Sequence, residues 1–132
     1  MSGQRTRWGW HQLGDRWARR IVAAAIITPG SLVLDVGAGH GALTSWLVDA
    51  GARVIAVELH PARARQLRQR FSSTTVKVIQ VNAVDLRLPR RPFRVVANPP
   101  FAISTALIKR LLSAGSQLQQ ADLVVPRHVA HR

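Results

Sequence analysis

The 132-residue sequence predicts an α/β fold, a single domain built around a mostly parallel central sheet. Three observations carry that expectation. Helix-spaced and strand-like apolar segments alternate along the chain. The strand-like segments are nearly continuous in aliphatic residues, as strands covered on both faces require. Turn-forming residues separate them. Strands and helices in alternation pack as a parallel sheet between helical layers.

The elements follow in order. Leu13 to Ile27 is a helix, with Leu13, Trp17, Ile21 and Ala24 at helical spacing. Thr28-Pro29-Gly30 stops it, and Ser31 to Val36 is the first strand. Gly37 to Gly41 is a glycine turn. It opens a helix from Ala42 to Ala50, with Leu43, Trp46 and Leu47 inward and Gly51 as its stop. Arg53 to Glu58 is the second strand. Pro61 suits the first turn of a third helix that runs to about Phe71. Val76 to Val81 and Phe93 to Ala97 are the third and fourth strands. Ser104 to Ser113 is helical and closed by Gly115, and Ala121 to Val125 is the fifth strand.

Nineteen Lys and Arg oppose six Asp and Glu, a formal charge of +13. So large an excess repels itself and implies a polyanionic partner. Nearly all the cations are arginine, whose guanidinium fork binds phosphate bidentately. No cysteine is present, which excludes disulfides, thiolate metal sites and a cysteine nucleophile. The five histidines, His11, His40, His60, His128 and His131, have no zinc spacing, so no metal is expected. No apolar run approaches the roughly 18 residues of a membrane helix, and no signal segment follows Met1. A cytoplasmic monomer is expected.

Open parallel sheets bind ligands at the carboxyl ends of their strands, and every candidate motif falls at such an end. Asp35-Val36-Gly37-Ala38-Gly39-His40-Gly41 follows strand one. Its glycines let backbone approach a ligand, and the helix behind it offers N–H groups to an anion. Asp35 would repel a pyrophosphate but can hold an amino group. Gly41 gives the Gly-x-Gly-x-Gly form typical of enzymes that bind S-adenosylmethionine (SAM), against a dinucleotide reading. Glu58 ends strand two, where an acid can accept both ribose hydroxyls. Leu59 beside it can pack on an adenine. Asn82-Ala83 follows strand three, where an amide can bond an adenine edge.

Asn98-Pro99-Pro100-Phe101 follows strand four and is the most specific signal in the chain. Two prolines stiffen the loop and remove two N–H donors. The Asn98 side-chain oxygen and the Pro99 carbonyl can then grip an exocyclic amine together. That grip draws the nitrogen toward tetrahedral and frees its lone pair. Phe101 offers a face to a base pulled from its stack. Arg87, Arg90, Arg91 and Arg94 lie near this loop in sequence, where they can track an RNA backbone. Arg63, Arg65, Arg68 and Arg70 read as a solvated helix face. Arg5, Arg7, Trp8, Trp10, Arg16, Arg19 and Arg20 mix cations with aromatic rings, which suits phosphate contact plus stacking.

Together these residues resemble the Erm family of rRNA adenine-N6 methyltransferases, relatives of the small-subunit rRNA adenine dimethyltransferases. The resemblance runs from about Gly9 to the end and is to the short actinobacterial type. It implies a Rossmann-like SAM-dependent methyltransferase fold and methylation of one adenine in 23S ribosomal RNA. It also implies resistance to macrolides, lincosamides and streptogramin B. Carried over by position, Gly37, Ala38 and Gly39 line the methionine end of SAM. Glu58 holds the ribose, Asn82 and Ala83 the cofactor adenine, and Asn98 to Phe101 the target base. His11, Gln12 and Leu13 stand for the N-terminal cofactor-contact motif.

The resemblance also implies a seven-stranded sheet, whereas the chain's strand pattern stops after the fifth. Pro126 to Arg132 reads as the start of a further helix. The expectation is therefore an N-terminal catalytic part spanning residues 1–132, without the last strands and without a C-terminal helical domain. Val124 and Val125 would then lie on a bare apolar edge. Two other readings share these residues: a shortened, inactive remnant that only binds RNA, and a DNA adenine-N6 methyltransferase, prompted by Pro99.

Overall fold

The computed structural model describes residues 14–124, the side chain of Phe101 excepted. His11, Gln12, Leu13, Trp8, Trp10, Val125 and the segment 126–132 therefore lie outside the described residues.

Five strands form one sheet in the order β3-β2-β1-β4-β5. They are β1 (Leu32–Val36), β2 (Arg53–Val57), β3 (Lys77–Ile79), β4 (Phe93–Ala97) and β5 (Leu118–Leu123). Every pairing is parallel. Four helices connect them: α1 (Asp15–Ala25), α2 (Ala42–Asp49), α3 (Pro61–Arg70) and α4 (Ser104–Leu111). The chain lays down β1, β2 and β3 in one direction and then returns to place β4 on the other side of β1. That reversal leaves a crevice at the carboxyl ends of β1 and β4, where doubly wound sheets bind ligands.

Side-chain alternation divides the core between two faces. Leu34, Val95 and Phe93 pack with Leu107 and Leu111 of α4. Val33, Val54 and Val96 pack with Ala18, Val22 and Ala25 of α1 and with Leu43 and Leu47 of α2. Successive strand residues point to opposite faces, so both layers are apolar only if the whole strand is apolar. This accounts for the near-continuous runs in the sequence.

The local signals behave as expected where they are strong. Pro61 opens α3, capped by His60, whose Nδ1 accepts from the Ala62 N–H at 3.2 Å. Gly51 takes φ +87° just past α2. Three expectations need correction. The buried stripe of α1 is Ala18, Val22 and Ala25, while Trp17 and Ala24 are exposed. Small residues let α1 approach the sheet, and Trp17 instead lies under the Arg20 guanidinium. β3 is confined to Lys77–Ile79, because Asn82 already caps a short 3-10 turn at Ala83–Asp85. β5 begins three residues earlier than expected, at Leu118. Gln119, Gln120 and Ala121 are exposed along it, and Leu118, Asp122 and Leu123 are half-buried. The Val124 N–H still bonds the Ala97 carbonyl, at 2.9 Å.

Candidate active site

The turn after β1 is built from glycine because its backbone enters the left-handed region at Gly37, Gly39 and Gly41. Gly37 has a second reason. A Cβ there would stand 2.7 Å from Pro100 Cδ and 3.3 Å from Pro99 Cα. The glycine turn and the Asn98–Pro100 loop are thus in van der Waals contact, brought together by the adjacency of β1 and β4. Asn98 is 5% exposed, and Pro99 is buried beside it. The Pro100 carbonyl accepts from the Ile103 N–H at 3.1 Å and the Ser104 hydroxyl at 3.2 Å, which ties the loop to the start of α4.

The turn's amides are spent inside the protein. Gly37 N–H and Ala38 N–H both donate to the Val57 carbonyl, and Gly41 N–H donates to the Ala38 carbonyl. Gly39 N–H donates to Glu58 Oε1 at 2.8 Å. Of these four donors only the Gly39 N–H meets an anion, and that anion is the protein's own Glu58. That carboxylate, 3% exposed, also accepts from the His60 N–H through Oε2 at 2.8 Å and faces Arg63 Nε at 3.6 Å. Each carboxylate oxygen keeps a further lone pair for a hydroxyl. The arrangement opposes a pyrophosphate, which would find paired amides and two acids.

The second acid is Asp35. It is 1% exposed. Its Oδ2 accepts from the Thr44 hydroxyl at 2.7 Å, while Oδ1 has no hydrogen-bond partner among the described residues. Burial pushes its carboxyl up to about 7; Thr44 opposes the shift and the Glu58 charge adds to it.

These elements border one cleft. Gly37, Glu58, Leu59, Asn82, Ala83 and Pro100 line it, so residues following β1, β2, β3 and β4 share a single cavity. It holds about 500 Å³ of empty space open to solvent, a size suited to a small molecule. Asn82 Oδ1 accepts from the Val84 N–H at 3.2 Å, which leaves the amide's donors available to the cleft. The Ala38 methyl turns the other way, into a cluster with Ala56, Leu67 and Phe71. Phe101 starts a 3-10 turn, Phe101–Ile103, and His11 and Leu13 lie outside the described residues.

Sequence reasoning missed five contributors to the walls: Val57, His60, Arg63, Val81 and Ile103. His60 had a signal, since it stands between the strand-ending acid and the helix-opening Pro61. Ile103 had none; it reaches the cleft only because α4 packs back on the sheet. Two of the arginines expected beside Asn98 lie elsewhere. Arg91 and Arg94 belong to the amino end of β4 and line a different cleft, because the strand itself separates them from the loop. Among the described residues, no group of three His, Asp or Glu is placed to hold a metal. No described helix is long and apolar enough to cross a membrane.

A parallel sheet of this order, with its cleft at the switch between β1 and β4, is the Rossmann-like fold of the methyltransferases. The 23S rRNA methyltransferase ErmE superposes on it with a TM-score of 0.81 at 28% identity, over 90% of this chain and 49% of that one. A dimethyladenosine transferase from Plasmodium falciparum gives 0.79 at 27% identity, over 90% and 44%. The family model described as ribosomal RNA adenine dimethylase matches residues 1–132, and the chain belongs to that family. It is 40% identical over 116 residues to a ribosomal RNA small subunit methyltransferase A of Thermosynechococcus vestitus, covering 86% of this chain and 44% of that protein. It is 35% identical over 100 residues to an rRNA adenine N-6-methyltransferase of Corynebacterium diphtheriae, covering 76% and 39%. The chain thus spans less than half the length of these two relatives.

Proposed function

We propose that the chain is the cofactor-binding and base-holding part of an enzyme that transfers methyl from SAM to N6 of an adenine in ribosomal RNA. The observation that carries this reading is the contact of Gly37 with Pro99 and Pro100. It sets a cofactor turn against a loop suited to a base. The residues fit SAM in three respects. Gly37, with no Cβ, lets the cofactor turn close against the Asn98–Pro100 loop. Buried Asp35 Oδ1 suits a cationic amino group. Glu58, Asn82, Ala83 and Leu59 offer a ribose and an adenine their acceptors, donors and apolar contact.

When bound, SAM supplies a methyl group on a sulfonium sulfur. The chain's own residues then position the target. The Asn98 side-chain oxygen and the Pro99 carbonyl accept from the exocyclic amine and hold its lone pair toward the cleft. Phe101 covers the face of the flipped base. Fixing two reactants at attack distance supplies most of such a rate enhancement. His11 and Leu13 complete the cofactor contacts in this reading. Its setting is the cytoplasm.

The proposed target is an adenine of 23S rRNA, with resistance to macrolides, lincosamides and streptogramin B as its consequence; the motifs and the likeness to ErmE support it. A second reading, an adenine of small-subunit rRNA, is favoured by the relatives named for that subunit at 40% identity. Incubating the chain, and a full-length relative, with labelled SAM and either purified RNA separates them. Label on 23S rRNA supports the first reading, and label on 16S rRNA alone overturns it in favour of the second. In the full-length relative, substituting the residue that matches Asn98 with Ala is expected to slow transfer at least about a hundredfold. An unchanged rate removes the role given to Asn98. Calorimetry tests the RNA-binding remnant: measurable SAM binding by the 132-residue chain argues against it.

A further inference from the structure

A second cleft opens at the opposite end of the sheet. Its walls are Gly30, Ser31, Leu32, Arg53, Arg91, Pro92, Arg94 and Gln119, around roughly 520 Å³ of empty space open to solvent. Arg53 begins β2 and Arg94 is the second residue of β4, so these arginines stand at the amino ends of the strands. Arg94 and Asn98 are four residues apart along extended β4, a separation of about 13 Å.

The lining is one-sided in its chemistry. Three guanidinium groups, a hydroxyl and a carboxamide converge, and no carboxylate is among them. Among the described residues none of the three arginines is in an ion pair; the single pair there is Arg63 with Glu58. Arg94 is braced by the carbonyls of Ile26, at 2.9 Å, and Ala25. Convergent like charges in a concavity repel each other and focus a positive field outward. Arg65 and Arg68 of α3, by contrast, are exposed on that helix and line neither cleft. Among the described residues no aromatic side chain lines the cleft to stack on a base.

We infer that this cleft is a phosphate site that grips the RNA backbone at a point remote from the methylated base. Arg94, immobilised by the end of α1, supplies a fixed charge. Arg53 and Arg91, both exposed, close on the phosphate oxygens as guanidinium forks do. Ser31 and Gln119 add donors. The RNA as the source of the phosphate rests on the function proposed above; the anion chemistry of the cleft does not.

The test uses the Arg53→Gln, Arg91→Gln double variant, which leaves Arg94 and its bonds to α1 intact. Arg65→Gln, Arg68→Gln removes the same charge from α3 and serves as the control. Binding of a fluorescent rRNA fragment is followed by anisotropy across a range of salt. The cleft variant is expected to bind about tenfold more weakly near 0.1 M salt. Its slope of log affinity against log salt should be shallower by about 0.7–0.9 for each phosphate that the cleft no longer neutralises. Unchanged affinity and slope, or a weakening no larger than the control's, overturns the inference. NMR of the arginine side chains with inorganic phosphate alone forms the second arm. Shifts at Arg53 and Arg91 with phosphate, but none with RNA, assign the cleft to a free anion and overturn its role on RNA. SAM-dependent methyl transfer by the cleft variant, at RNA concentrations that saturate it, is expected to persist. Methyl transfer therefore reads the proposed activity separately from this site.

Discussion

Asp35 shows how much one buried carboxyl can decide. Its pKa lies near 7 rather than 3.8, chiefly through desolvation. Between about pH 4 and 7 the folded protein therefore keeps a proton that the unfolded chain gives up. The sign follows from linkage: stability falls as pH rises through that window and levels off above it. Asp35→Asn, which can still accept from Thr44, is expected to flatten that decline, so its stability relative to wild type rises between pH 5 and 8. Urea unfolding at both values checks this, and parallel curves for the two proteins contradict it. The same substitution is expected to weaken SAM binding about tenfold at pH 8, because a charge-assisted hydrogen bond is lost. Gly37 and Gly115 make a second comparison at this scale. Both have positive φ, but a Cβ at Gly115 meets nothing within 4 Å, whereas at Gly37 it collides with Pro100. Gly115→Ala is expected to cost about 1 kcal/mol, from backbone conformation alone. Gly37→Ala is expected to cost about 3 kcal/mol and to abolish SAM binding, since a loop must move as well. Equal destabilisation of the two variants in urea unfolding would contradict the packing of Gly37 on Pro100.

Among the elements, α1 is held by its end. Ile26 closes it at φ +54°, a conformation unfavourable to a β-branched residue. Its side chain is 78% exposed, so little burial offsets the strain. Ile26→Gly is expected to stabilise the protein by about 1 kcal/mol. Arg94→Met is expected to destabilise it by about 1–3 kcal/mol, because the Ala25 and Ile26 carbonyls lose a charged donor. Hydrogen exchange along α1 reports both, with faster exchange only in the Arg94 variant. Element boundaries were legible where the punctuation is chemical, as at Pro61 and Gly51. They were misplaced at β3 and β5, where the end of a strand depends on which neighbour continues to pair with it. The α1 stripe was read one residue out of phase. Trp17 looks like a core residue by hydropathy, yet Ala18 is the size that fits against α2 and the sheet.

The molecule as a whole carries +13 charges, and its two clefts divide the chemistry. One, lined by Glu58 with buried Asp35 behind the turn, suits a cation with hydroxyls; the other, lined by arginines, suits an anion. A ligand of the first binds only the folded chain. SAM at a hundred times its Kd is therefore expected to add about 2.7 kcal/mol and to raise Tm by roughly 10 °C. A scan showing no shift would count against the cofactor assignment. The sequence alone determined the alternation of helices and strands, the parallel class of the sheet and the loops on which chemistry falls. Apolar period, glycine and proline act over a few residues and can be read there. Tertiary structure decided which loops meet. The order β3-β2-β1-β4-β5 sets Pro100 against Gly37 and lets Glu58 claim the Gly39 amide. Strand length sends Arg91 and Arg94 to the end opposite Asn98, although only a few residues separate them in the chain. Proximity across a sheet depends on strand order and direction, neither of which is encoded in any short window of sequence.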